Sequence, residues 1–307
     1  MSSIVTVCGF IRPEDLGRTM IHEHLFVDLR PLLPQPEALL DDEASALDEL
    51  LYLKQAGGQA VVEVSVIGMG RNPIGLRRLG EVSSLHIIAG TGFYLEPMYP
   101  PFVAEWPAER LADLMAAEVL QGIKGSGVRA GVIGELGFGT AFVSPGEKPT
   151  PLQEKVLEAA ARAHRLTGTA ITLHAGHQAL DQLAVLDREQ VELDRVIFGH
   201  ADGKIALDDQ ITLARRGANL AYDCFGKHYL YPDRQRIEDL LRLLDAVGAG
   251  HLMLSQDVCL RSHWRRHGGF GYDHVLREII PALRTRGVRE SEIDQMLVKN
   301  PARVLAF

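Results

Sequence analysis

In the stretch GRTMIHEHLF, residues 17–26, a single residue separates His22 from His24. An extended chain sends alternate side chains to one face, so both imidazoles can converge on one ion while Glu23 points away. Residues of similar chemistry close other short apolar runs: Glu135 ends AGVIGE, His174 ends TAITLH, His200 ends DRVIFGH and Asp257 ends HLMLSQD. Each alone has an ordinary explanation, since buried imidazoles pair with backbone groups, aspartates cap helices and buried glutamates join ion pairs. Six such residues gathered at the ends of five runs are not accounted for that way. Four imidazoles and two carboxylates form a mixed nitrogen and oxygen donor set, suited to zinc, manganese, cobalt or iron. The set exceeds what one tetrahedral ion needs, so a pair of divalent ions sharing one carboxylate fits the count better.

Donors this far apart in sequence need a scaffold that collects strand ends. The apolar, β-branched runs end near His22, Ser65, Thr91, Glu135, His174, His200, Asp223 and Asp257. Amphipathic stretches such as DDEASALDELLYLKQAGG and AERLADLMAAEVLQGI lie between them. Another, TPLQEKVLEAAARAHRLTG, carries Thr150 as N-cap, Pro151 at the first helical position and Gly168 as stop signal. Strands apolar on both faces, alternating with helices, imply a parallel sheet with crossover helices. Eight of them close an α/β fold of the TIM barrel type, (β/α)8, whose active face is the C-terminal ends of the strands. No linker or low-complexity segment divides the chain, so one domain over residues 1–307 is expected. An open dinucleotide-binding sheet has only VIGMGRNP in its favour. There Pro73 replaces the third fingerprint glycine, and no acid ends the next run, which leaves a tight loop opening a helix.

The 307 residues are 46% hydrophobic and 23% charged, enough apolar material for a large core. A net charge of -8 argues against nucleic acid or an anionic membrane as partner. Cys8, Cys224 and Cys259 are too few and too scattered for a disulfide framework. No signal-peptide pattern and no apolar run near the ~18 residues of a membrane span is present. A cytoplasmic protein, monomer or homodimer, acting on a small molecule is the expectation.

The motifs GRTMIHEHLF, GMGRNP, HIIAGTGFY, VIFGHAD, LSQDV and VKNPARVLAF resemble the phosphotriesterase family of the amidohydrolase superfamily, from about Gly17 to Phe307. The resemblance implies a more buried metal held by His22, His24, Glu135 and Asp257, and a more exposed one held by Glu135, His174 and His200. It also implies a bridging hydroxide as nucleophile, Asp257 as proton shuttle and Tyr94, in TGFY, as a hydrogen-bond donor to the substrate oxygen. Where the family's well-known phosphotriesterases and lactonases bridge their metals with a carboxylated lysine, this chain has Glu135. Its resemblance is to the phosphotriesterase-related homology proteins, which share that glutamate. Lys124 comes too early to take the lysine's place.

The segment 258–267 carries Arg261, Arg265, Arg266 and two histidines without an acid. Together with Lys227 it suggests a cationic rim for an anionic substrate, with His263 and His177 as further contacts. Asp202 and Asp223 are candidate acceptors for the ligating imidazoles. The expected activity is hydrolysis of a lactone or carboxylic ester carrying an anionic group, with phosphotriester hydrolysis as a side activity. An amidase acting on small N-acyl amino acids is the alternative. A true phosphotriesterase and a metal-binding protein without turnover rank below both.

Overall fold

Each apolar run of the sequence becomes a strand. In the computed structural model, which describes residues 2–139 and 148–307, eight parallel strands follow one another in chain order. They are β1 (Thr19–Glu23), β2 (Ala60–Glu63), β3 (His86–Thr91), β4 (Ala130–Gly137), β5 (Ile171–His174), β6 (Val196–Gly199), β7 (Asn219–Tyr222) and β8 (Leu252–Leu254). The ladder runs unbroken from β1 to β8. Its two edges are joined just past β8, where Asp257 N–H donates to His22 O (3.2 Å) and His24 N–H to Val258 O (3.2 Å). That seam brings Asp257 beside His22 and His24.

The double-sided burial has a layered cause. Ile21, Val62, Ile88, Val132, Ile197, Ala221 and Met253 point into the barrel, where Ile4, Leu16, Val304 and Leu305 join them. Their strand neighbours Met20, Val61, Ile87, Ile133, Phe198, Leu220 and Leu252 face outward against the helices. Each large apolar side chain contributes roughly 1.5–3 kcal/mol on full burial, so the strands are apolar over most of their length, with Thr172 in β5 a buried exception.

The helices that cover this sheet start where sequence signals place them. In α1 (Glu43–Gln55) the Asp42 carboxylate accepts from Ala44 N and Ser45 N. In α2 (Pro73–Ser83) Asn72 accepts from Gly75 N, so GMGRNP is a helix start rather than a nucleotide loop. α3 (Ala108–Leu120) is followed by α4 (Pro151–Thr167), with Thr150 and Gln153 in a reciprocal capping box and Gly168 in the left-handed region at its end. Outer helices α5 (Ala179–Arg188), α6 (Leu207–Arg215) and α7 (Asp233–Val247) follow, and then a π turn at Val275–Ile279 that continues into Ile280–Thr285. Among the described residues no helix is long and apolar enough to cross a membrane.

Candidate metal centre

All six expected donors meet at the C-terminal mouth of the barrel. Glu135 lies at their middle. Its Oε1 is 2.7 Å from His174 Nδ1, 3.2 Å from His200 Nε2 and 3.4 Å from His22 Nε2, while Oε2 is 3.8 Å from His24 Nε2. Asp257 turns Oδ1 toward the same space, 3.4 Å from His24 Nε2 and 4.0 Å from His22 Nε2. Its other oxygen, Oδ2, accepts from the buried Lys227 ammonium. Three overlapping groups have their donor atoms within 4.8 Å of one another: His22, His24 and Glu135; His22, His200 and Asp257; and Glu135, His174 and His200.

These residues fit a cation. His22 Nε2 and Asp257 Oδ1 are buried and have no hydrogen-bond partner among the described residues. Two unsatisfied buried polar atoms facing one space are costly, and a metal ion between them removes the cost. Burial and the neighbouring His200 push the His174 imidazole down to about 4, leaving a neutral ring with a lone pair to donate. Burial alone would raise both carboxylates, but His22 and His174 hold Glu135, and Lys227 holds Asp257, well below the ordinary range. Both are therefore anionic donors.

Behind the donors, a second set of contacts fixes each ring. Asp223 Oδ1 is 2.8 Å from His200 Nδ1 and its Oδ2 is 2.9 Å from His22 Nδ1, so one carboxylate orients two rings and turns both Nε2 atoms inward. Ser65 Oγ does the same for His24 Nδ1 at 2.8 Å. Asp202, clamped by the buried Arg236 guanidinium, accepts from the backbone of Asp223 and Cys224. Glu23 faces away from the donors, as alternation requires. It instead accepts from Ser255 Oγ, Gln256 N and Val258 N, anchoring the segment that presents Asp257. Sequence reasoning gave Glu23 no task, and nothing local signals one, because its partners lie more than two hundred residues away.

The backbone is shaped for this convergence. His200 and Asp257 adopt left-handed φ values of 53° and 52°, a conformation that is strained for side chains of this kind. Gly199, just before His200, has no room for a side chain: a Cβ there would lie 2.6 Å from Leu173 O and 3.3 Å from His22 Nδ1.

The remaining expected site residues divide. Tyr94 is buried with its hydroxyl 3.3 Å from His174 Nδ1, and burial, reinforced by Glu135 and Asp257, raises its pKa well above the usual phenol value, keeping it a donor. Lys227 reaches the cluster but is engaged by Asp257. Arg261 does not reach it: its guanidinium donates to Leu39 O and Asp41 Oδ1, each at 2.8 Å. The basic segment as a whole leans on α1, with Arg265 N and Arg266 N donating to Glu49. His263 is buried beneath the loop beside Tyr229, pushed down to about 3 by burial and then by Lys227. His177 is exposed and borders a separate groove together with Lys204. The cavity over the donors is small, about 60 Å³, and Leu29, Met69, Tyr94, Lys204, Lys227 and Leu230 are among its other lining residues. Lys204 had no part in the sequence reading. A wider cavity of about 810 Å³, bordered by α7 and Ile280–Thr285, contains none of the six donors.

Known proteins resemble this chain over nearly its whole length. The phosphotriesterase homology protein of Escherichia coli (strain K12) is 38% identical over 289 residues, covering 94% of this chain and 97% of that protein. Its crystal structure, complexed with phosphate in the active site, superposes with a TM-score of 0.89 over 95% of this chain and 99% of that one. The N-acetyltaurine hydrolase of Danio rerio is 29% identical over 348 residues, 99% of this chain and 98% of that protein. A mutant PTE-like lactonase of Deinococcus radiodurans is 30% identical with a TM-score of 0.84, over 98% of this chain and 99% of that one. The Phosphotriesterase family model spans residues 2–305. With that span and these relatives, the chain belongs to the phosphotriesterase family, a family of metal-dependent hydrolytic enzymes.

Proposed function

We propose that the protein hydrolyses a compact lactone or carboxylic ester bearing an anionic group. Two divalent ions, zinc first and otherwise manganese, cobalt or iron, would be held by His22, His24, Glu135 and Asp257 on the buried side and by Glu135, His174 and His200 on the exposed side. When bound, the pair supplies a hydroxide nucleophile near neutral pH and polarises the substrate carbonyl. The observation that carries the reading is the divided Asp257 carboxylate, with Oδ1 free toward the donors and Oδ2 fixed by Lys227.

Asp257 takes the nucleophile's proton through Oδ1 and delivers it to the leaving oxygen. Lys227 keeps that carboxylate ionised before reaction and fixes its direction. An acid with so low a pKa gives its proton up readily, which suits expulsion of an oxygen leaving group. Tyr94, still protonated at working pH, donates to the substrate oxygen on the His174 side. A cavity of about 60 Å³ edged by Leu29, Met69 and Leu230 favours a short substrate over a long acyl chain.

An amidase for small N-acyl acids is the second reading, favoured by the relative named N-acetyltaurine hydrolase, whose named substrate is a short amide with a sulfonate. Amine expulsion needs protonation, which the same Asp257 supplies. The test is metal content by elemental analysis together with kcat/KM on short lactones, esters, N-acyl acids and a phosphotriester. We expect two ions per chain, lactones or esters ahead of amides, and a phosphotriester rate well below both. Asp257→Asn should retain most of its metal and lose roughly 10²-fold or more in turnover, the scale of acid–base catalysis. Amides ahead of esters by tenfold would establish the second reading. A metal-loaded protein that turns over nothing on this panel would be a binding protein instead.

A further inference from the structure

We infer that Lys204, on the segment after β6, is the residue that receives the substrate's anionic group. The inference rests on the reading above that the substrate is an anionic acyl compound, and it moves the anion from the loop after β8 to the segment after β6. The cations near the donors decide the matter. Lys227 is buried, with its ammonium committed to Asp257 Oδ2 and 3.5 Å from Cys259 Sγ. Arg261 is committed to Leu39 O and Asp41, Arg265 to Asp273 Oδ2 at 2.9 Å, and Arg266 to Ser45 Oγ. His263 is neutral and hydrogen-bonded beneath the loop.

Lys204 is half-buried and, alone among these, has no acceptor for its cationic group among the described residues. It lines the metal cavity and also a neighbouring groove of about 330 Å³, so its charge stands where the two meet. In that groove Lys148 is neutralised by Asp181 at 2.9 Å, and Asp209 adds a negative charge. An anion is therefore repelled from the far end and drawn to the Lys204 end.

The segment carrying Lys204 is built rigidly. Asp202, two residues earlier, is clamped by buried Arg236, which also donates to Asp202 O at 3.1 Å. Gly203 follows at φ +81°, with the Tyr231 ring 3.1 Å from where a Cβ would sit. An unpaired cation on a fixed segment binds an anion without first having to order its own backbone. The ligand class that fits is a short acyl compound with a carboxylate, sulfonate or phosphate a few atoms from the carbonyl held at the metals.

Glutarate and butyrate provide a test that does not depend on turnover. Both offer one carboxylate to the metal-loaded site, and only glutarate carries a second for Lys204. Calorimetric titration should show the parent protein binding glutarate more tightly than butyrate. Lys204→Met should weaken glutarate by about ten- to hundred-fold, the range of one charged hydrogen bond, and weaken butyrate far less. Lys204→Arg should restore most of the difference, and Arg261→Ala should leave it in place. A parent protein that does not distinguish the two acids, or a Lys204→Met variant that loses both equally, overturns the inference. Intact glutarate selectivity alongside an inert substrate panel would instead overturn the hydrolytic reading and leave Lys204 as an anion receptor.

Discussion

At the scale of single residues, the candidate centre is ordered by polar side chains that split their two atoms between the expected donors and a support. Asp223 shares its oxygens between His22 and His200, and Asp257 shares its own between the metal space and Lys227. Glu63 is the exception. Its Oε1 accepts from Ser65 N at 3.2 Å, placing it behind the serine that holds His24, but Oε2 is buried without a hydrogen-bond partner among the described residues. Burial pushes this carboxyl up to about 7. Between roughly pH 4.5, where an unfolded glutamate ionises, and pH 7, the unfolded chain has lost this proton and the folded chain has kept it. The folded state binds more protons there, so Glu63 removes stability as pH rises through that window, with the full loss above it. Glu63→Gln keeps the shape of the protonated acid and cannot ionise. Its melting temperature should match the parent near pH 4.5 and exceed it increasingly up to pH 8. A difference that stays constant with pH would mean that Glu63 is ionised in the folded protein.

At the scale of elements, strands were legible and loops were not. A parallel strand covered on both faces is largely apolar, so an imidazole or carboxylate at its C-terminal end stands out, as His22, Glu135, His174 and His200 do. Asp257 lies three residues beyond β8, yet it is at the mouth because the seam bonds to His22 and His24 hold it there. The loop after β8 misled for a physical reason. Its positive charge was visible, but the groups it serves, Asp41, Ser45 and Glu49, belong to the α1 region and are not adjacent in sequence. Lys204 was overlooked because a lone lysine after a histidine has no pattern around it. The strand with the sharpest consequence is β4. It brings the Glu135 carboxylate within 2.7 to 3.8 Å of four imidazoles directly, while Lys124 is exposed before the strand and Lys227 is occupied. Reconstitution of the metal-free protein should therefore recover the same activity at the same rate in bicarbonate-free and bicarbonate-rich buffer, and Glu135→Ala should lose the paired ions. Reactivation that requires bicarbonate would place a carboxylated lysine at the centre and remove Glu135 from it.

At the scale of the whole molecule, the barrel divides chemistry from stability between its two ends. The donors occupy the C-terminal mouth. The opposite end is closed by the two chain termini, where Ser3 and Phe307 exchange backbone hydrogen bonds of 3.0 Å. Ile4 and Leu16 there meet Val304 and Leu305 over the inward-facing side chains of the strands. Leu305 is fully buried in the inward-facing cluster, which includes none of the six expected donors. Leu305→Ala leaves a cavity under the barrel floor, with an expected loss of about 2–5 kcal/mol in unfolding free energy, as for leucine truncation in other packed cores. The strand ends on the far side are fixed by their own contacts through Asp223, Ser65 and Glu23. The folded fraction of Leu305→Ala should thus bind the parent's complement of metal and keep the parent's KM, while its denaturation midpoint falls. Denaturant unfolding paired with elemental analysis of the folded protein reads both at once. A variant that loses metal in step with its stability would show that floor and mouth are coupled, and that the barrel responds as one elastic body rather than as a stable base carrying an independent site.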